Sequence, residues 1–305
     1  MIADIRKLDL SANLIGVLCV LLATIGLSLK AIFIKLVYLA DPGIDAISIL
    51  AIRFFLALPF FVFLLWYVRN SRPGVSFNVS HIWTFLLLGV MGFYVSAILD
   101  FSALALIPAG LERLILFLYP TFVVLISFFI RPSELNRTIV FALLVSYVGV
   151  IIVFIDQAPQ LDAEMIKGAF LVLGAAITFA IYTVASVKPI QDHGSIRFTA
   201  YAMFAASGAT LAHAFGAHGV AVLDRGVDVY VYILPMAIFS TVLPLILMAE
   251  GIKRIGASST SIIATSGPVL TITMAFFVLG ETVGILQAIG GSMIIAGVFF
   301  VAHKK

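Results

Sequence analysis

The stretch LIGVLCVLLATIGLSLKAIFIKLV, from Leu14 to Val37, contains only two charged residues, Lys30 and Lys35. About 20 consecutive apolar residues cross the hydrocarbon core of a bilayer as one helix. Runs of similar length and character follow it at Ile47–Val68, Ile82–Leu106, Leu111–Ile130, Thr138–Ile155, Gly168–Val187, Phe198–Phe215, Val229–Met248, Ala257–Leu279 and Ile285–Ala302. The sequence therefore predicts an all-α membrane protein with about ten transmembrane helices.

The overall composition supports a lipid environment. Hydrophobic residues make up 63% of the chain, charged residues 11%, and the mean hydropathy is +1.20. Soluble proteins carry roughly 45–50% apolar and about 25% charged residues. The formal net charge is +3, but the basic residues lie in short segments between apolar runs, which argues against a nucleic-acid partner.

Motifs for metal or nucleotide chemistry are not found in the sequence. Cys19 is the single cysteine, which excludes an internal disulfide and a cysteine-based metal cluster. The five histidines show no metal-ligand spacing, and no glycine-lysine loop for phosphate binding occurs. We therefore expect no cofactor, no metal and no direct use of ATP.

The loops alternate in charge, and this predicts the orientation. If the N-terminus is cytoplasmic, every second loop is basic, as the positive-inside rule requires. The cytoplasmic segments would then hold Arg6, Lys7, Arg69, Arg72, Arg131, Arg137, Lys188, Arg197, Lys253, Arg254, Lys304 and Lys305. We expect a multi-pass protein of the inner (plasma) membrane with both termini in the cytoplasm.

Two segments of the chain resemble each other at a constant offset. IPAGLERLILFLYP, which ends at Pro120, aligns with IGASSTSIIATSGP, which ends at Pro268, and Gly149 then aligns with Gly297. Two repeats of five spans each must have opposite orientations, the inverted plan of many secondary transporters. The predicted domains are residues 1–156 and 157–305. Pro120 and Pro268 are candidate hinges, with harmless kinks repaired by neighbouring groups as the alternative.

These motifs resemble the EamA family of the drug/metabolite transporter superfamily. The similarity lies in ALIPAG at Ala105–Gly110 with LYP at Leu118–Pro120, IRF at Ile52–Phe54, SGP at Ser266–Pro268, and LGE at Leu279–Glu281. It implies ten helices in two five-helix repeats, cytoplasmic termini, and export or exchange of amino acids and other small metabolites through a central cavity. Unlike the related small multidrug pumps, the first span carries Lys30 and Lys35 in place of a glutamate.

Charged side chains inside the predicted spans are the first candidates for a binding site. Each costs at least about 2.5–3.5 kcal/mol at the centre of a bilayer, so such residues usually have a function. Lys30 is either a substrate contact or the partner of Asp100 in an ion pair. Lys35 lies nearer the outer end of its helix, where its long side chain can reach water.

Arg53 and Glu112 leave two interpretations open. The Arg53 guanidinium can bind a carboxylate or phosphate through two parallel hydrogen bonds, or it can pair with Glu112 and join helices two and four. Glu112 also suits the positive end of its helix dipole. Spacings of four and three place Glu112, Leu116 and Tyr119 on one face that leads to Pro120, which is a candidate cavity wall.

The second half offers hydroxyl groups rather than charges. Tyr182, in the sixth span, lies near the repeat position of Lys30 and presents an aromatic surface that can hydrogen-bond or simply fill space. Thr265 belongs to a stripe of hydroxyl residues in the ninth span that ends near Pro268, where helix packing is the other interpretation. Both are expected to contact substrate.

Together these features predict a secondary transporter that exports or exchanges amino acids or related carboxylate-bearing metabolites by alternating access. The expected partners are a small-molecule substrate and the lipid bilayer, with the chain a monomer or homodimer. No catalytic residues are predicted. The alternatives are a membrane-embedded lipid-modifying enzyme, which would require a cluster of nucleophile and base, and a receptor or channel.

Overall fold

The computed structural model describes residues 2–71, 79–130, 137–157, 162–264 and 266–303. Within these ranges all regular structure is helical, which confirms the predicted all-α class. The helices are α1 (Ile2–Ala40), α2 (Ala46–Ser71), α3 (Val79–Gly89), α4 (Ser96–Leu104), α5 (Ala109–Leu116), α6 (Tyr119–Ile130), α7 (Arg137–Gln157), α8 (Ala163–His193), α9 (Ser195–His218), α10 (Val227–Ala237), α11 (Leu243–Ala264), α12 (Gly267–Met274) and α13 (Ile285–His303).

Several helices continue into one another through a wider turn. A π-helical turn at Val90–Val95 joins α3 to α4, and another at Ile238–Val242 joins α10 to α11. The second turn begins as many residues after the first as Pro268 lies after Pro120. A third, Ala275–Leu279, extends α12. Such turns leave backbone groups without their usual partners, and they occur often at functional sites.

Five helical segments of the described chain are long and apolar enough to cross a membrane: Leu14–Ala40, Ala46–Tyr67, His81–Leu104, Ala163–Ile190 and Val227–Met248. Shorter apolar helices occupy Gly267–Leu279 and Ile285–Gly297. Large apolar side chains such as Phe63, Trp83, Phe170 and Phe277 are more than half exposed on the outside of the bundle. This surface would be unfavourable in water and suits contact with lipid.

Residues on both sides of α11 contact α1. Gly26 of α1 lies so close to the start of this region that a Cβ there would collide with the Phe239 carbonyl oxygen and lie 2.8 Å from Pro244. Ser28, half a turn further, donates a hydrogen bond to the Gly267 carbonyl at 3.1 Å. Phe239, which precedes α11, and Gly267, which follows it, therefore lie against the same turn of α1.

The helices pack in a regular set of pairs. α1 packs against α10, α11 and α12, and α8 packs in a similar way against α3, α4, α5 and α6. α2 packs against α9, and α7 against α13. Gly149 and Gly290 let α7 and α13 approach closely, since a Cβ on either glycine would lie within 2.6 Å of the other's carbonyl oxygen. These contacts bring charged residues of α1, α2, α4 and α5 to the interior.

Candidate functional site

The Lys30 ammonium on α1 and the Asp100 carboxylate on α4 form an ion pair, with Nζ and Oδ2 separated by 2.5 Å. The Asp100 side chain is 4% exposed and the Lys30 side chain 16% exposed. Proximity of opposite charges offsets much of the cost of removing each from water. The structure therefore shows the ion pair that was one of the two interpretations of Lys30.

Glu112 lies beside this pair in the first turn of α5. Its side chain is completely buried and close enough to Asp100 for the two carboxyl groups to interact electrostatically. Among the described residues, no group donates a hydrogen bond to either Glu112 carboxyl oxygen or to Asp100 Oδ1. Buried polar atoms nearly always have a partner, so three orphaned carboxyl oxygens at one place call for an explanation.

A residue from the far end of the chain holds the start of α5. Glu281 accepts hydrogen bonds from the backbone N–H groups of Ala109 at 2.8 Å and Gly110 at 3.0 Å. These N–H groups belong to the first turn, which has no acceptor within the helix, and its dipole favours a negative charge. In the sequence, Glu281 is recognisable only as the last residue of the LGE motif, after the ninth predicted span. Its position just before a glycine-rich helix is the signal that could have suggested a contact with another span.

Arg53 lies on α2 and is 8% exposed. Its Nε donates a 2.7 Å hydrogen bond to the Thr241 hydroxyl, and its guanidinium carbon lies 5.5 Å and 5.4 Å from the ring centres of Phe54 and Phe101. Such contacts stabilise a cation by interaction with the ring faces. The alternative of an Arg53–Glu112 pair is wrong for this structure, because Arg53 donates nothing to the Glu112 oxygens.

Thr241 is a functional candidate that sequence analysis missed. It belongs to the π-helical turn at Ile238–Val242, and its hydroxyl donates a 3.2 Å hydrogen bond to the Met236 carbonyl. The hydroxyl can therefore accept from Arg53 while it donates to its own helix. The only signal in the sequence was the Ser240-Thr241 pair in the middle of an otherwise apolar span.

Tyr119 and Tyr182 meet on a third ring. The Phe179 ring centre lies 5.3 Å from that of Tyr119 and 5.6 Å from that of Tyr182. Tyr182 is 9% exposed, and its ring packs so closely on Gly92 that a Cβ at that position would collide with it. The two tyrosines thus share an aromatic cluster, whereas Lys30, Asp100 and Glu112 form a separate charged cluster.

Pro120 and Pro268 occupy equivalent places in two helices. Each is the second residue of its helix, α6 and α12 respectively, where a missing N–H costs little. The turn before each is also alike, since the Leu118 N–H bonds to the Ile115 carbonyl and the Ser266 N–H to the Ile263 carbonyl. The prolines begin new helices rather than kink continuous ones. Thr265 lies outside the described residues.

The matched positions of Pro120 and Pro268 in the two halves of the chain agree with the result of a family comparison. The model of the EamA-like transporter family matches residues 14–155 and matches again at residues 166–302. The chain belongs to the EamA-like transporter family. The resemblance seen in its motifs is thereby confirmed.

Relatives of this EamA-family chain are also named as transporters. "Uncharacterized transporter YcbK" of Bacillus subtilis (strain 168) is 32% identical over 292 residues, 94% of this chain and 91% of that protein. An "Uncharacterized transporter" of Archaeoglobus fulgidus is 25% identical over 265 residues, 86% of this chain and 88% of that protein. These names and the apolar helices support a multi-pass membrane transporter rather than an enzyme.

A solved structure shares the fold of this EamA-family chain. It is described as "Crystal structure of protein" and aligns with a TM-score of 0.63 at 19% identity. The alignment covers 95% of this chain and 97% of that chain. The likeness therefore extends over nearly the whole helical bundle.

Proposed function

We propose that this protein is a secondary transporter that exports or exchanges small carboxylate-bearing metabolites, such as amino acids, across the inner membrane. The observation that carries the proposal is the buried charge in the bundle. Lys30, Asp100 and Glu112 lie together inside an apolar protein, and Arg53 lies beside Phe101, the next residue after Asp100. Charged groups at this depth are costly and typically mark a substrate pathway.

The charges suit a zwitterionic substrate. In the described structure the Arg53 guanidinium makes one hydrogen bond, through Nε, so its two terminal nitrogens are available for a carboxylate. Asp100 and Glu112 can accept the ammonium group of the same molecule. The nearby rings of Phe54 and Phe101 exclude water and strengthen both contacts. Tyr119, Tyr182 and Thr265 remain candidates for the rest of the site.

The proposed mechanism is alternating access between two inverted repeats, residues 1–156 and 157–305. Four observations support the repeat. The family model matches twice, and the turns before Pro120 and Pro268 have the same hydrogen bonds. The π-helical turns at Val90–Val95 and Ile238–Val242 begin as many residues apart as the two prolines. The packing of α1 on α10–α12 also parallels that of α8 on α3–α6. Rocking of one repeat against the other would expose the site to each side in turn.

The test is uptake by proteoliposomes that are exposed to a pooled mixture of amino acids and related carboxylates, with the vesicle contents read by mass spectrometry. Arg53→Ala should abolish accumulation of a compound that wild-type vesicles take up, whereas Arg254→Ala should not. Arg254 is a suitable control because it pairs with Glu250 on the surface of α11. Flux of Arg53→Ala near that of the wild type would remove Arg53 from the site. No flux in wild-type vesicles under any gradient would count against the transporter.

A further inference from the structure

Asp100 and Glu112 carry two carboxyl groups that are buried close to each other inside the bundle. Asp100 Oδ2 receives the Lys30 ammonium, but Asp100 Oδ1 and both Glu112 oxygens have no donor in the part of the chain that the structure describes. α4, which carries Asp100, packs against α5, which carries Glu112. If both were ionised, each would present lone pairs to the other, which is repulsive in an apolar interior. One proton between them removes the repulsion and supplies the missing donor.

The charged side chains described nearby do not provide another donor to Glu112. Lys30 is directed at Asp100, Arg53 at Thr241, and the Glu281 carboxylate at the start of α5. Arg113 follows Glu112 on the helix, about 100° around its axis, and Lys35 lies near both Glu112 and Glu281. Neither forms a hydrogen bond with the Glu112 oxygens. Tyr38 also lies near Asp100, but its hydroxyl donates to the Phe101 carbonyl at 2.8 Å.

We propose that Asp100 and Glu112 hold one exchangeable proton, carried on Glu112 and donated to Asp100 Oδ1, and that its release and return couple transport to the proton gradient. The coupling rests on the proposed transporter function. Asp100 remains the ionised partner because it is bonded to the Lys30 ammonium. The proton is bound in the position that the substrate ammonium group would need.

The coupling step is a proton exchange with water on one side of the membrane. The O–H bond of Glu112 breaks, the proton passes to water, and Glu112 becomes a carboxylate. Two carboxylates then face one ammonium, Lys30, and the excess negative charge attracts the ammonium of a substrate. When the substrate leaves on the other side, a proton from that side restores the Glu112 O–H bond. Proton and substrate thus bind alternately, and they move in opposite directions.

Infrared spectroscopy tests the proton site without a substrate. A protonated carboxyl group has a carbonyl stretch that a carboxylate lacks, and carbon-13 labelling of glutamate shifts that band for glutamate alone. Wild-type protein in lipid vesicles at neutral pH should show the band, and Glu112→Gln should lack it. The control Glu164→Gln, at an exposed position of α8, should keep it. Absence of the band from the wild type, or its persistence in correctly folded Glu112→Gln, would overturn the proposal.

A pH gradient across proteoliposomes tests the coupling. With the pooled amino acids as probe, wild-type accumulation should follow the imposed gradient and reverse with its direction. The amide of Glu112→Gln mimics the protonated state permanently, so gradient-driven accumulation should fall at least about tenfold. Gradient-driven accumulation that equals wild type in Glu112→Gln would refute the coupling. If wild-type vesicles show no flux at all, transport itself fails, while the infrared band still decides the proton site.

Discussion

Arg53 on α2 and Thr241 between α10 and α11 are joined by a 2.7 Å hydrogen bond, although 188 residues separate them in the chain. The bond connects the first half of the protein to the second at a buried cation. Because the Arg53 charge is stabilised by residues of both halves, any movement of one half against the other changes its surroundings. This makes the contact a sensitive point of the proposed transport cycle.

Replacement of Thr241 by valine should weaken substrate binding. The change keeps the shape of the side chain but removes the acceptor of the Arg53 Nε–H, and a hydrogen bond to a charged group contributes about 1.5–3 kcal/mol. We expect the substrate concentration for half-maximal uptake to rise about tenfold or more. Thr273→Val is the control, since its exposed hydroxyl donates to the Val269 carbonyl within its own helix. Equal effects of both variants would contradict a specific role for Thr241.

The prolines at the start of α6 and α12 should affect turnover rather than binding. With alanine at positions 120 and 268, the α5–α6 and α11–α12 breaks can close into continuous helices, which would hinder rearrangement around the turns. The double variant should transport more slowly with little change in half-saturating concentration. Pro59→Ala is a control, because Pro59 lies inside α2 on the exposed surface. Unchanged turnover in the double variant would argue against hinges.

Loss of the Glu281 carboxylate should destabilise the folded protein. In Glu281→Ala the N–H groups of Ala109 and Gly110 lose their acceptor, at a cost of about 1 kcal/mol. The midpoint of thermal unfolding in detergent should fall by about 2–4 °C. Glu164→Ala removes an exposed glutamate from the first turn of α8 and should have a smaller effect. A midpoint for Glu281→Ala that matches this control would show that the link between the halves adds no stability.

The loop between α1 and α2 should contribute an acid-sensitive component of stability. Although burial opposes it, hydrogen bonds from Ser48 and His218 lower the pKa of Asp45 below its usual value. A carboxyl with a depressed folded-state pKa stabilises the protein above its unfolded pKa of about 3.9, and that stabilisation is lost as the pH falls through the folded value. Thermal midpoints of wild type should therefore drop below about pH 4 more steeply than those of Asp45→Asn. Parallel curves would exclude this contribution.

The orientation inferred from the loops can be measured with reporter fusions. A reporter joined after Lys305 should give a cytoplasmic signal, because the positive-inside rule then holds at every second loop. A second fusion within residues 158–161, between α7 and α8, should report the opposite side and serves as the internal control. An external signal from the C-terminal fusion would reverse the proposed topology.

The amino-acid sequence by itself determined the class of structure and part of the charged cluster. Apolar runs as long as Leu14–Val37 leave few options, because backbone groups in lipid must be satisfied within a helix. The same physics made Lys30 and Asp100 predictable partners, since an isolated charge in such a run is costly. The matched prolines were visible as well, because their effect on a helix is local.

Tertiary structure decided which distant groups meet. Arg53 bonds to Thr241 rather than to Glu112, and Glu281 bonds to Ala109 across 172 residues. Neither contact follows from periodicity, because each depends on how helices pack and on the π-helical turn that holds Thr241. The orphaned oxygens of Asp100 and Glu112 are likewise a property of the packed state. Sequence spacing specifies the face of one helix, whereas the partner of a buried group is specified by the approach of another.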